Sequence, residues 1–131
     1  MSVIDVGSCE SFGFSKDPIV VRLAVGYIKG GKVLDVDGFT EETIKAGHII
    51  IRDTETKETY KPLPVKDGAY ESLPSGYEYV GVVAQTVPAT EPIVSILYNG
   101  EVNVNACPFE MTSDILTAMK TAIPTLVFEH D

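Results

Sequence analysis

The sequence predicts a small, mainly β domain of barrel-like or sandwich-like build, with one α-helix around residues 113–123. Three observations carry this. Residues 44–104 form a train of short runs rich in Val, Ile, Thr and Tyr, separated by strong turn signals. Only residues 113–123 carry a sustained helical spacing of apolar side chains. The chain has 131 residues, the size of one domain with a real core.

Residues 1–17 are small and polar, with Val3, Ile4, Val6, Phe12 and Phe14 as scattered apolar anchors. The segment is either an arm that becomes ordered against a partner or a first strand of the domain's own sheet. Residues 18–131 form the single β-rich domain. Pro18 opens a strand over residues 19–28, where its missing N–H lies outside the ladder. Lys29-Gly30-Gly31-Lys32 is a turn of the kind tight hairpins use, and residues 33–36 form a second strand. Thr40 is placed to cap one helical turn within residues 39–45.

Residues 48–52 are β-rich, and Ile49-Ile50-Ile51 suits a strand buried on both faces. A turn at residues 53–56 returns the chain along residues 57–63. Asp67-Gly68 and Pro74-Ser75-Gly76 mark a surface connection. Residues 77–87 are the longest strand candidate, and Gly81 within it signals a bulge or a close backbone approach. Residues 93–98, Asn99-Gly100 and residues 101–105 read as a hairpin with a type I′ turn. In its second arm, Val102, Val104 and Ala106 point one way and Glu101, Asn103 and Asn105 the other. Thr112 caps the helix, Asp114 favours its N-terminal dipole, and Pro124 ends it. Residues 125–128 form a last strand.

The net charge of −9 argues against nucleic-acid and anionic-membrane partners, which require clustered Lys and Arg. No apolar run reaches transmembrane length, and the N-terminus lacks the pattern of a signal peptide. Cys9 and Cys107 are expected as free thiols.

No motif assembles an active site. The run from Gly26 to Lys32 matches a phosphate-binding loop only as far as the lysine. Val33 stands where a hydroxyl must hold Mg²⁺, and no helix start follows. Asp35 and Asp37 have the first two spacings of a calcium loop, but Gly38 comes too early. His48 and His130 have no paired metal-ligand spacing with the two cysteines. A Cys107–His48 nucleophilic pair requires the fold to unite them; Cys107 before Pro108 is more simply a small buried hydrophobe. No catalytic residue, cofactor or metal is expected. Tyr60, Tyr77, Tyr79 and Tyr98 suit either half-buried sheet positions or a subunit contact.

The order of features resembles the small head-decoration, or capsid-stabilising, proteins of tailed bacteriophages of the lambda-like kind. The matching pattern is Ile44-Lys45-Ala46-Gly47 followed by Ile49-Ile50-Ile51-Arg52, then Tyr60-Lys61-Pro62. Val80-Gly81-Val82-Val83 comes next, and residues 93–97 run into Gly100-Glu101-Val102-Asn103. The resemblance spans residues 19–128, with its core at 44–106. It implies a β-tulip type of fold and a homotrimer on the outer surface of a virion capsid, made in the bacterial cytoplasm. It further implies an N-terminal arm that grips the major capsid protein. A head-fibre base shares the same outline. From another class, a small β-barrel module for carbohydrate or another ligand also fits the strands and tyrosines.

Overall fold

The computed structural model describes residues 17–28 and 30–129. The chain opens with one helical turn, α1 (Asp17–Val20), and a strand, β1 (Val21–Tyr27). The expected strand therefore starts two residues late. Val20 is 2% exposed and anchors α1 in the core, so its backbone turns inward before the sheet begins. Short strands β2 (Lys32–Val33) and β3 (Thr43–Ile44) lead to β4 (Ile49–Asp53) and β5 (Tyr60–Pro62). The ribbon β6 (Val65–Lys66) and β7 (Ala69–Tyr70) precedes β8 (Tyr77–Val83). Then come β9 (Val87–Pro88), β10 (Ile93–Val94) and β11 (Ile96–Asn103). A 3₁₀ turn (Val104–Ala106), the helix α2 (Ser113–Ala122) and β12 (Leu126–Glu129) close the chain.

The fold is mainly β with one long helix, as the sequence predicts. It is not a barrel. The principal sheet runs β1-β11-β8-β4-β5, with β12 added to β11, and its ends do not meet. All its pairs are antiparallel except β11–β12. Three two-stranded ribbons, β2–β10, β3–β9 and β6–β7, lie off this path.

One core lies on each face of the sheet. Ile49, Ile51, Val82, Leu97 and Val102 pack with Met119, Ile123 and Leu126 on the helix side. Ile50, Val80, Val83 and Ile96 pack with Leu34, Ile44 and Val94 on the other. Ile49, Ile50 and Ile51 are each fully buried, so β4 is apolar on both faces, as expected. Helix α2 follows the sequence too: Thr112 Oγ1 accepts the Ile115 N–H, and Ile123 stands at the C-cap before Pro124.

Strand β8 does not keep one alternation. Ile50 pairs with Gly81 but Ile51 pairs with Tyr79, which places a bulge at Val80. Tyr77 and Tyr79 therefore share a face with Val82, while Val80 shares the other with Val83. Gly81 is required here, because a Cβ would collide with the Leu97 carbonyl oxygen.

Four expectations are corrected. Asn99-Gly100 is not a hairpin turn; β11 runs straight through it and pairs with β1. A type I′ turn needs positive φ at both residues, and among the described non-glycine residues only Lys57 and Asp67 have it. Gly100 instead lets β1 approach, since a Cβ there would strike the Leu23 carbonyl oxygen. Gly30-Gly31 is a turn, with φ of 82° and 67°, but its flanking strands pair elsewhere: β1 with β11, β2 with β10. Thr40 caps no helix; the segment forms β3, paired with β9. The alternation beyond Val102 stops because Asn103 Oδ1 accepts the Asn105 N–H and starts the 3₁₀ turn. The tightest hairpin turn is Asp67-Gly68, with φ of 54° and 78°, between β6 and β7.

Candidate interaction surface

Strand β1 ends the principal sheet. Among the described residues it has one strand neighbour, β11. Val21 packs on the helix-side core, but the later apolar side chains do not face a core: Leu23 is 50% exposed, Val25 63% and Tyr27 45%. Ile19, just before it, is 54% exposed. Natural proteins blunt such edges with charges, proline or bulges, because an apolar edge recruits other strands. This strand has no proline and one charge, Arg22. Its three register irregularities against β11 leave Leu23, Val25 and Tyr27 exposed. The Tyr98 ring extends the surface. It lies against Gly26, where a Cβ would sit 3.2 Å from Tyr98 Cζ. The neighbouring ribbon adds the cross-strand pair Val33–Ile93, both more than 60% exposed.

The four tyrosines expected at a subunit contact are not equivalent. Tyr98 is 41% exposed and belongs to the apolar surface. Tyr77 and Tyr79 are half-buried against the helix-side core. Tyr60 is 7% exposed and fills the opposite core, so little of its ring is left to offer a partner. Lys32 and Arg52 lie over that ring at 5.3 and 5.7 Å, and Lys61 lies 4.5 Å over Tyr77. Arg52 Nε and Nη2 both donate to Glu78 Oε2, at 2.9 and 2.6 Å, and Lys57 donates to the same oxygen at 3.2 Å. The Arg52 guanidinium, with Lys57 beside it, holds the Glu78 carboxyl below the usual carboxylate range. The arm residues Val3, Ile4, Val6, Phe12 and Phe14 lie outside the described residues, as do Cys9 and His130.

The fold does bring the neighbourhoods of Cys107 and His48 together. A Cβ at Gly47 would sit 3.0 Å from Cys107 Sγ, and His48 is the next residue. Their electrostatics oppose nucleophilic chemistry. Burial pushes the Cys107 thiol up to about 12, so it stays protonated. Burial likewise lowers His48 to about 4, only partly offset by its bond to Leu63. Its Nε2 lies 3.0 Å from the Leu63 carbonyl oxygen, a distance at which it donates. The rings of Phe39, Tyr70 and Phe109 surround the imidazole edge-on at 5.2–5.6 Å. This is a packed polar residue in the core.

Elsewhere, Asp35 Oδ1 accepts the Asp37 N–H, an Asx-type turn on the exposed acidic run. It borders a cleft of about 140 Å³ that Phe39, Lys61, Pro62 and Glu71 also line. Among the described residues no three His, Cys, Asp or Glu side chains converge on a metal position. No helix among them is long and apolar enough to cross a membrane. Comparison of the chain with family models, curated proteins and solved structures finds no match.

Sequence reasoning missed the exposure of β1. Alternation of Val21, Leu23, Val25 and Tyr27 with Arg22, Ala24 and Gly26 reads as an ordinary half-buried strand. Only the pairing of β1 at the end of the sheet reveals the surface.

Proposed function

We propose that this protein works by adhesion, as a structural subunit that docks on the outer surface of a phage capsid shell and stabilises it. The observation that carries the proposal is the apolar edge strand β1, with Leu23, Val25 and Tyr27 each about half exposed or more. Such an edge gains main-chain hydrogen bonds and buries its side chains when another chain adds a strand. Binding the assembled shell and not its free subunits stabilises the shell by mass action, and many weak copies suffice. The resemblance of the strand and turn order to that of head-decoration proteins is what favours a capsid as the surface. In this reading the protein is a homotrimer, and residues 1–16 form the arm that grips the major capsid protein.

Co-sedimentation with shells assembled from the capsid protein of the same genome tests it. The full chain is expected to pellet with shells. Deleting residues 1–16, or Val25→Lys, is expected to leave the far-ultraviolet circular dichroism unchanged and abolish pelleting. Unchanged occupancy by both variants overturns the proposal.

A further inference from the structure

We propose that Asp67-Gly68 is a site of spontaneous backbone modification, where the folded chain converts aspartate to isoaspartate, and that the fold shields the intrinsically faster step, Asn99-Gly100. The proposal stands independently of the adhesive reading. In both dipeptides the glycine nitrogen can attack the side chain before it, because glycine has no Cβ to hinder the approach. At Asp67 the Gly68 nitrogen bonds to the side-chain carboxyl carbon, water leaves, and a cyclic imide closes. A second water opens the imide at the main-chain carbonyl, so the chain then runs on through the former side chain. The net change is an isomerisation. At Asn99 the same closure expels ammonia, and ring opening leaves an acid where the amide stood. At neutral pH the aspartate carboxylate repels a nucleophile and the amide does not. An unfolded chain therefore reacts first at asparagine.

The fold reverses that order. The Gly100 N–H donates to the Thr125 carbonyl oxygen at 3.2 Å. Gly100 is buried, Asn99 is half-buried, and β1 runs alongside with Gly26 opposite Asn99. Ring closure at Asn99 must break that hydrogen bond and move paired backbone. Asp67 and Gly68 are both exposed, in the two-residue turn between β6 and β7. Among the described residues none accepts the Gly68 N–H. A Cβ at Gly68 would meet nothing within 4 Å, so the attacking nitrogen has room. Asp67 also holds a left-handed φ of 54°, which a non-glycine residue adopts only at a cost. Isoaspartate adds a methylene to the main chain and relieves it. Asp37-Gly38 is exposed as well, but Asp37 is not among the residues of positive φ and gains no such relief. The effect reaches the core, because the added methylene shifts β7 against β6. Strand β7 carries Tyr70, whose hydroxyl accepts the Ile49 N–H at 3.1 Å and whose ring lies 5.2 Å from that of His48.

The test ages the full-length chain for several weeks at neutral pH, folded and in guanidinium chloride. Isoaspartate is read by methyl transfer from S-adenosylmethionine with an isoaspartyl methyltransferase and placed by peptide mapping. The folded chain is expected to be methylated in the peptide that holds Asp67 and to keep Asn99 intact, whereas the denatured chain reacts first at Asn99. Asp67→Asn sets two Asn-Gly steps in one folded molecule and makes both visible by mass; asparagine accepts the same left-handed φ, so the turn is kept. Position 67 is then expected to deamidate at least about tenfold faster than Asn99, the factor that one hydrogen bond supplies. Equal rates at the two positions, or reaction at Asn99 alone, overturn the shielding. No methylation at Asp67 in the folded chain, or more at Asp37 than at Asp67, overturns the site. The Ile49 amide is expected to exchange its hydrogen about tenfold faster in the isomerised fraction than in fresh protein. An unchanged rate overturns the reach of the modification into the core.

Discussion

His48 makes the stability of this protein depend on pH in a defined window. The ring is 1% exposed and enclosed by three aromatic rings, and burial lowers its pKa to about 4 from an ordinary 6.5. The unfolded chain therefore binds a proton that the folded chain refuses between those values. Stability is full above pH 6.5 and is lost as pH falls towards 4, below which the loss saturates. At 1.36 kcal/mol per unit, the whole effect is about 3.4 kcal/mol, of which about 2 kcal/mol falls between pH 7 and pH 5. That upper part of the window lies above the ordinary titration of carboxylates. Urea unfolding at pH 7, 6 and 5 reads the slope directly. His48→Gln keeps a donor for the Leu63 carbonyl and cannot titrate, so its stability is expected to be flat across the same range apart from the common background. The ring signals of His48 in proton NMR are expected to stay those of neutral imidazole down to about pH 5. A ring that titrates near 6.5, or an unchanged slope in the variant, refutes the reasoning.

Further outcomes follow from single contacts. Gly100→Ala drives a Cβ into the Leu23 carbonyl oxygen and is expected to cost about 3 kcal/mol or more in urea unfolding, whereas Gly38→Ala, with open space around it, should cost only about 1–2 kcal/mol of backbone strain. The protonated Cys107 thiol should react with a disulfide reagent at pH 8 about a thousandfold more slowly in the folded chain than in urea, since so little thiolate forms; comparable rates would show that the site opens readily. Thr112→Ala removes the oxygen that accepts the Ile115 N–H and should cost about 1 kcal/mol by the same unfolding measurement.

Local chemistry made some elements readable and hid others. The helix was legible to within one residue because its cap, stripe and terminating proline act within a few positions of one another. The triple isoleucine of β4 was legible because burial on both faces leaves a continuous apolar run. Asn99-Gly100 misled because the same dipeptide serves a tight turn and a close backbone approach, and only the neighbouring strand decides between them. The parity of β8 was hidden for a related reason, since the bulge at Val80 is imposed by β4 from across the sheet. The candidate surface was least visible of all. Nothing in Leu23, Val25 or Tyr27 distinguishes a strand that faces a core from one that faces solvent; their exposure follows from where β1 falls in the sheet order.

The branching of β11 has a mechanical consequence. A pull applied to a docked β1 enters the domain through its pairs with β11, which run from Val21–Val102 to Tyr27–Leu97. From there it divides. One part passes through Ile96 and Leu97 into β8 and the buried strand β4; the other passes through Gly100 to Asn103 into β12. Tension along β11 loads these ladders in shear, with several hydrogen bonds sharing the force at once, rather than opening them one by one. β11 is thus the tie-rod of the domain, the one strand that joins β1 to both β8 and β12.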